Sequence, residues 1–284
     1  MVERNGTEMP DLLLYFSTAA CWLVLSGLAW RATRPAVAAG PAADIPDIRI
    51  DAVLVPIALV LHGMLVYRSI VTVDGLDMGV ANAISLIVWL TVLIYWLAGL
   101  AFPRLASILG LMAPIALVAV AFQAIVPTHH YVTYTASPLF TAHFAIAMLA
   151  YSLFIVATVH ALVMLAEEKW LHRGVMPPFL KSLPPLLEME ALLFRILLAA
   201  FVLLTLTVVS GVFFSEQLFG KPLTFTHKTF FGILSWLVFG GLLAGHHLRG
   251  WRGRTAVMWT LTGFVLLMLA YVGSKVMLEL VLKR

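Results

Sequence analysis

Four of the chain's nine histidines are the residues best placed to do chemistry. His62 lies in "VLVPIALVLHGMLVY", His143 in "PLFTAHFAIAMLAY", His227 in "LTFTHKTFF" and His246 in "GGLLAGHHLRG". Each sits in or at the edge of an almost wholly apolar run, with few carboxylates and no cysteine beside it. A neutral imidazole in such a place does one of two things. It donates to a backbone carbonyl or serine of a neighbouring helix, for about 1 kcal/mol, or it offers a nitrogen to a ligand in a dry pocket. Haem iron suits the second role, because axial imidazoles and an apolar wall are what the macrocycle needs. Zinc or copper would also take imidazole, usually with three ligands at one depth. For His129, His130, His160, His172 and His247 the first role is the better reading.

Helix geometry limits which of the four can act together. At 1.5 Å per residue, His143 lies about 8 Å inside its apolar run, and His227 is similarly shallow. His62 falls near the middle of its run, and His246 at the inner end of its own. His227 and His246 are separated by about 28 Å along one helix and cannot share an iron. His143 with His227 is the pair whose depths agree. His62 with His246 mismatches by roughly 10 Å for upright helices, part of which tilt would absorb.

The elements that hold these side chains are set by composition. The 284 residues are 62% hydrophobic and 11% charged, with a strongly positive mean hydropathy, far from a water-soluble domain. Apolar runs of bilayer-crossing length predict eight helical spans, at about 11–30, 52–72, 79–100, 105–126, 139–166, 191–214, 226–247 and 255–280. Pro-, Gly- or charge-rich connections separate them. The expected fold is an all-α, polytopic membrane bundle of eight transmembrane helices in one domain over residues 1–284. "DLLLYFSTAACWLVLSGLAW" is long for a signal peptide, and its arginines follow rather than precede it, so it is read as the first span.

The net charge of +4 resides in short connections and reads as a topology signal rather than a nucleic-acid surface. The connections after spans one, three, five and seven hold ten Lys/Arg, from Arg31 to Arg254; the opposite side holds six. Basic residues favour the cytoplasmic side, which places both termini outside. Arg195 and Lys275 fall within spans; Arg195 is expected to reach toward Glu188 or Glu190, and Lys275 to pair with Glu279. Gly241 and Gly245 permit close packing, and Trp236 reads as core. Arg249, Arg252 and Arg254 read first as inside-positive residues, and second as partners for haem propionates.

Cys21, the only cysteine, excludes an internal disulfide, a Cys-based metal cluster and a CxxCH haem attachment. No GxxxxGK[ST], HExxH or GxSxG pattern occurs, and no acid, base or nucleophile constellation marks an enzyme. A small-solute or ion transporter is a different reading, resting on His62 and Gln123 as midplane polar groups, but the two halves show no mutual resemblance. A regulatory or scaffolding membrane protein is a third.

Three stretches carry a family resemblance: "AHFAIAMLAYSLFIVATVHALVML", "LEMEALLFRILLAAFVLLTLTVVSGVFF" and "SWLVFGGLLAGHHLRGWRGRTAVMWTLTGFVLLMLAYVGSKV". Their order, with "PPLLEME" before span six and "GWRGR" before span eight, resembles the cytochrome c assembly protein superfamily. That superfamily includes CcsA- and CcmC-type haem-handling proteins, and the closer resemblance is to the short YpjD/HemX-like branch. It covers residues 138–280 well and the first four spans in pattern only. It implies a multi-pass protein of the bacterial inner membrane, acting in haem handling or cytochrome c maturation, with b-type haem as cofactor. Lipid, haem and other maturation or haem-synthesis proteins are the implied partners. By that resemblance His62 and His246 are the transmembrane ligands, and His143 the external ligand ahead of a tryptophan-rich loop. Here the loop is shortened to "SEQLFGKPLTFTHKTFFGIL" without tryptophan, and no second external histidine follows span eight. His227, standing where the loop would be, is a candidate replacement ligand.

The charge asymmetry makes orientation testable. Alkaline phosphatase fused after Arg284 is expected to be active, and a green fluorescent protein at the same junction dark; the reverse pattern would invert the topology.

Overall fold

In a bilayer the backbone has no water to bond, so a spanning segment must satisfy its amides internally. The computed structural model describes residues 5–33, 50–72, 75–126, 131–132, 138–174, 180, 183–213, 215 and 227–270, and these are overwhelmingly helical. In chain order the helices are α1 (Asn5–Thr33), α2 (Ile50–Ile70), α3 (Val80–Ala101), α4 (Ala106–Ile125), α5 (Pro138–His172), α6 (Leu186–Phe213), α7 (His227–Arg249) and α8 (Gly253–Met268). The first seven are long and apolar enough to cross a membrane; α8 is apolar and 16 residues long. The expected remainder of span eight, with Lys275 and Glu279, lies outside the described residues, as do His129, His130 and residues 216–226. The chain is a polytopic, predominantly helical membrane bundle, as its composition requires.

α5 is the axis of this bundle. It packs on α3, α6 and α8, most extensively on α6. Of the seven spans it is the most enclosed, with 67% of its apolar window buried against 17–39% in the others. Proline stands only at its first position, where no intrahelical N–H is needed, and no glycine interrupts the following 34 residues. It therefore runs about 50 Å, longer than the hydrocarbon layer, and extends several residues past the expected boundary at 166. Around it the core is filled by Phe154, Met189, Leu193, Leu197, Phe239 and Leu242, all essentially inaccessible.

Polar side chains join the helices by donating across interfaces. Tyr95 Oη donates to the Val156 carbonyl at 2.9 Å, Tyr151 Oη to Leu267 at 3.1 Å, and Trp89 Nε1 to Leu59 at 2.8 Å. Gly63 makes room for that indole, since a Cβ there would stand 3.0 Å from Trp89 Cζ2. Trp236 is a packing residue, stacked on Phe201 and donating to Thr205 Oγ1 at 2.9 Å. Gly241 and Gly245 make room for Trp259 and Trp251 rather than for a second helix backbone.

Two features depart from the sequence reading. First, three very short strands, β1 (Val71–Thr72), β2 (Gly75–Asp77) and β3 (Tyr131–Val132), form an antiparallel sheet in the order β1-β2-β3. Gly75, at φ 122°, has a backbone conformation that side chains disfavour and so allows the tight return. Segments this short carry no legible periodicity. Second, Gln123 is not at the midplane. It occupies the last turn of α4, where its Nε2 donates to Asn82 Oδ1 at 2.8 Å. Asn82 in turn donates to the carbonyls of Ser69 and Asp77. Gln123 is thus part of a lock joining helix ends, and the transporter reading loses one of its two midplane groups.

Gly263 meets Phe239, which is itself stacked on Phe154 at 4.0 Å between ring centroids; a Cβ at Gly263 would stand 2.7 Å from Phe239 Cζ. Gly263→Ala should therefore cost about 1–3 kcal/mol, read as a lowered unfolding temperature in detergent. In Gly263→Ala/Phe239→Leu the combined loss should be smaller than the sum of the two single losses.

Candidate functional site

An imidazole has two nitrogens, and the partner of one decides what the other offers. His143 lies in the second turn of α5, half-buried against α6. Its Nδ1 is 2.7 Å from Ser210 Oγ. The single hydroxyl proton of Ser210 is already directed at the Leu206 and Thr207 carbonyls, so Ser210 accepts and His143 Nδ1–H donates. The lone pair then resides on Nε2. Gly211 leaves space beside the ring, where a Cβ would make ordinary contact with His143 Cε1 at 3.6 Å.

His246 reaches the same state by a different route. Gly250, at φ 66°, ends α7 with its N–H on the His246 carbonyl at 3.1 Å, a left-handed helix cap. The chain then doubles back, and Trp251 N–H bonds the Gly245 carbonyl at 3.2 Å. This lays the Trp251 ring over Gly245 and brings its carbonyl 2.8 Å from His246 Nδ1. A carbonyl only accepts, so Nδ1 carries a proton, and in the neutral ring the lone pair is then on Nε2. The ring stacks on Phe194, 3.5 Å between centroids and 16° from parallel. Glu190 of α6 fixes the far side of the turn, accepting from Gly253 N–H at 3.0 Å and facing Arg252 Nε at 3.7 Å. Arg252 is largely exposed, so the ion pair adds under about 1 kcal/mol. Glu190 is thus engaged by the "GWRGR" turn, not by Arg195. That motif is the device that orients His246.

His62 is fully buried between α2 and α3, with Nε2 2.9 Å from Ser85 Oγ and the ring edge-on to Trp22 at 6.0 Å. Its Nδ1 and Trp22 Nε1 have no hydrogen-bond partner among the described residues. His160 is equally buried and donates from Nε2 to the Met189 carbonyl at 2.9 Å, the helix-joining role expected of it. His172 bonds the Glu168 carbonyl one turn back.

The four candidates therefore occupy three levels. The start of α5, the end of α6 and the start of α7 share one end of the bundle, which brings His143 and the exposed His227 to the same level. His246 lies at the opposite end, and His62 is deep inside α2. α2 packs on α1 and α3, whereas α7 packs on α6 and α8, so His62 and His246 lie on helices without an extensive shared interface. No group of three or more His, Cys, Asp or Glu able to hold a metal occurs among the described residues. Sequence reasoning found the histidines but missed Ser210, the Trp251 carbonyl and Phe194. A lone serine in "TLTVVSGVFF" was the only available signal for the first.

The class defined by this fold is a multi-span helical membrane protein, several of whose imidazoles are bonded to other parts of the chain. The chain belongs to the cytochrome c assembly protein family, whose model matches residues 51–282. The matched stretch begins in α2, ahead of the 138–280 segment that carries the sequence resemblance. Over 174 residues the chain is 32% identical to the inner membrane protein YpjD of Escherichia coli, covering 61% of this chain and 65% of that protein. It is 31% identical over 86 residues to the cytochrome c biogenesis protein CcsA of Prochlorococcus marinus, covering 30% of this chain and 28% of that protein. The chain thus spans less than two thirds of the length of these relatives.

The tautomers are directly measurable. In ¹⁵N-histidine-labelled protein, His143 and His246 should both appear protonated at Nδ1 and bare at Nε2. Ser210→Ala should alter the His143 signals and leave those of His246 in place; an even tautomer mixture at either ring would contradict the assigned hydrogen bonds.

Proposed function

We propose that this protein handles haem in the bacterial inner membrane, binding b-type haem without covalent attachment and serving cytochrome c maturation. The observation that carries the reading is the orientation of His143 and His246. Each has its Nδ1 bonded to a protein oxygen, so Nε2 is the nitrogen that would meet iron. The buried, unpartnered Nδ1 of His62 is a further donor. His143 and His227 would hold a haem at one end of the bundle, and His62 and His246 are the remaining candidate ligands. Haem iron, when bound, would supply redox chemistry and take up nitrogen donors. The residues supply nitrogen donors, exclusion of water and fixed ring planes. With eight spans and the basic residues inward, both termini lie outside and the His143 level faces outward. Maturation or haem-synthesis proteins are the expected partners.

A second reading has its own observation. His62, His143 and His246 each already bond a protein oxygen, as suits a scaffolding or regulatory protein that keeps the fold without the cofactor.

Absorption spectra separate the two. Protein purified in mild detergent is expected to show a Soret band and, in the reduced-minus-oxidised difference, an α-band. His143→Ala and His227→Ala should each lower the haem content severalfold, and His62→Ala and His246→Ala should shift or weaken the bands. A blank spectrum after haem supplementation would leave the scaffolding reading.

A further inference from the structure

At the end of the bundle opposite His143 there is a pocket of ≈ 440 Å³, lined by Leu165, Glu168, Lys169, His172 and Arg254. That volume lies within the range of small-ligand sites. Its cations come from two helices, Lys169 and His172 from the last turn of α5 and Arg254 from the first turn of α8. Among the described residues neither Lys169 nor Arg254 forms an ion pair. Among the described lining residues Glu168 is the one carboxylate, against Lys169 and Arg254, so their sum is net positive. His172 Nδ1 is tied to the Glu168 carbonyl at 2.7 Å, leaving Nε2 as the atom available to a ligand.

The level of the pocket identifies what meets it. Leu165 lies about 40 Å along α5 from Pro138, and a bilayer with its headgroups measures roughly 40–45 Å. The pocket therefore sits at the headgroup layer if α5 begins near the opposite surface. Its flanks agree. Leu162, one turn nearer the membrane interior, is about half exposed, as suits acyl chains. Trp170, with Arg173 5.4 Å above its ring, has the character of an interfacial anchor.

We propose that this pocket binds the phosphate diester of an anionic phospholipid, with Lys169 and Arg254 meeting the phosphate and Leu165 the glycerol stem. Two cations from separate helices converging on one anion would also tie the end of α5 to the start of α8. The proposal does not rest on haem binding.

The test is native mass spectrometry of the full chain in mild detergent, titrated with phosphatidylglycerol or phosphatidylcholine. Phosphatidylglycerol is expected to bind selectively. Lys169→Gln and Arg254→Gln should each weaken it about fivefold, following the usual increment per basic residue at an anionic surface, while Arg31→Gln at the same end should change it less than twofold. Glu168→Gln, which removes the opposing charge, should tighten binding and keeps the test decisive if a cation variant fails to fold. Equal binding of phosphatidylcholine, or an equal loss in Arg31→Gln, would overturn the proposal. Displacement of the lipid by millimolar inorganic phosphate would assign the pocket to a soluble phosphate and overturn the lipid as its source.

Discussion

The constraint on which this structure depends is the absence of water around its polar groups. In solution a histidine can leave both nitrogens to solvent. Within a helical bundle in lipid, an unpartnered polar atom is costly, so the protein engages at least one nitrogen of each buried ring. His160 binds the Met189 carbonyl, His62 meets Ser85, His143 donates to Ser210 and His246 donates to Trp251. These bonds stabilise the bundle modestly, about 0.6 kcal/mol each on average in a membrane. Their larger effect is to choose the tautomer. A ring fixed at Nδ1 becomes a directed donor at Nε2, so one hydrogen bond serves both packing and ligation.

The two oriented rings show different construction. Around His143 the partner is a side chain, Ser210, held by α6's own carbonyls. Around His246 it is a backbone carbonyl, delivered by a turn whose geometry depends on Gly250 and whose position depends on Glu190. The tryptophan that follows the turn fills the space that Gly245 leaves open. Much of what makes "GWRGR" recognisable is therefore the requirement to return the chain over α7 in five residues. Membership of the cytochrome c assembly family and this local geometry support each other without being the same argument.

Much of the fold was legible because transmembrane length and apolar composition are physical requirements. The seven long helices fall within a few residues of the expected spans. Their ends were less legible: α5 continues through Glu167–His172 because nothing breaks it until Gly174, although its apolar run stops earlier. The sheet was invisible because two-residue strands leave no alternation to read. Gln123 was misplaced in depth because a one-dimensional reading put the polar residue inside the membrane rather than at the end of α4. Arg195 was expected to reach Glu188 or Glu190, but Glu190 answers to a helix start distant in sequence. The histidines could be nominated from residue type and setting, whereas their partners, Ser210, Ser85 and the carbonyls of Met189 and Trp251, depend on which helices meet.

The unbroken length of α5 has a mechanical consequence. From His143 to His172 it forms a lever about 44 Å long, without an interior proline or glycine to act as a hinge. A pivot of a few degrees about its enclosed middle displaces its tips by a couple of ångströms in opposite directions. Whatever reseats the helix at one membrane surface is thereby felt at the other, with no change in its internal bonding.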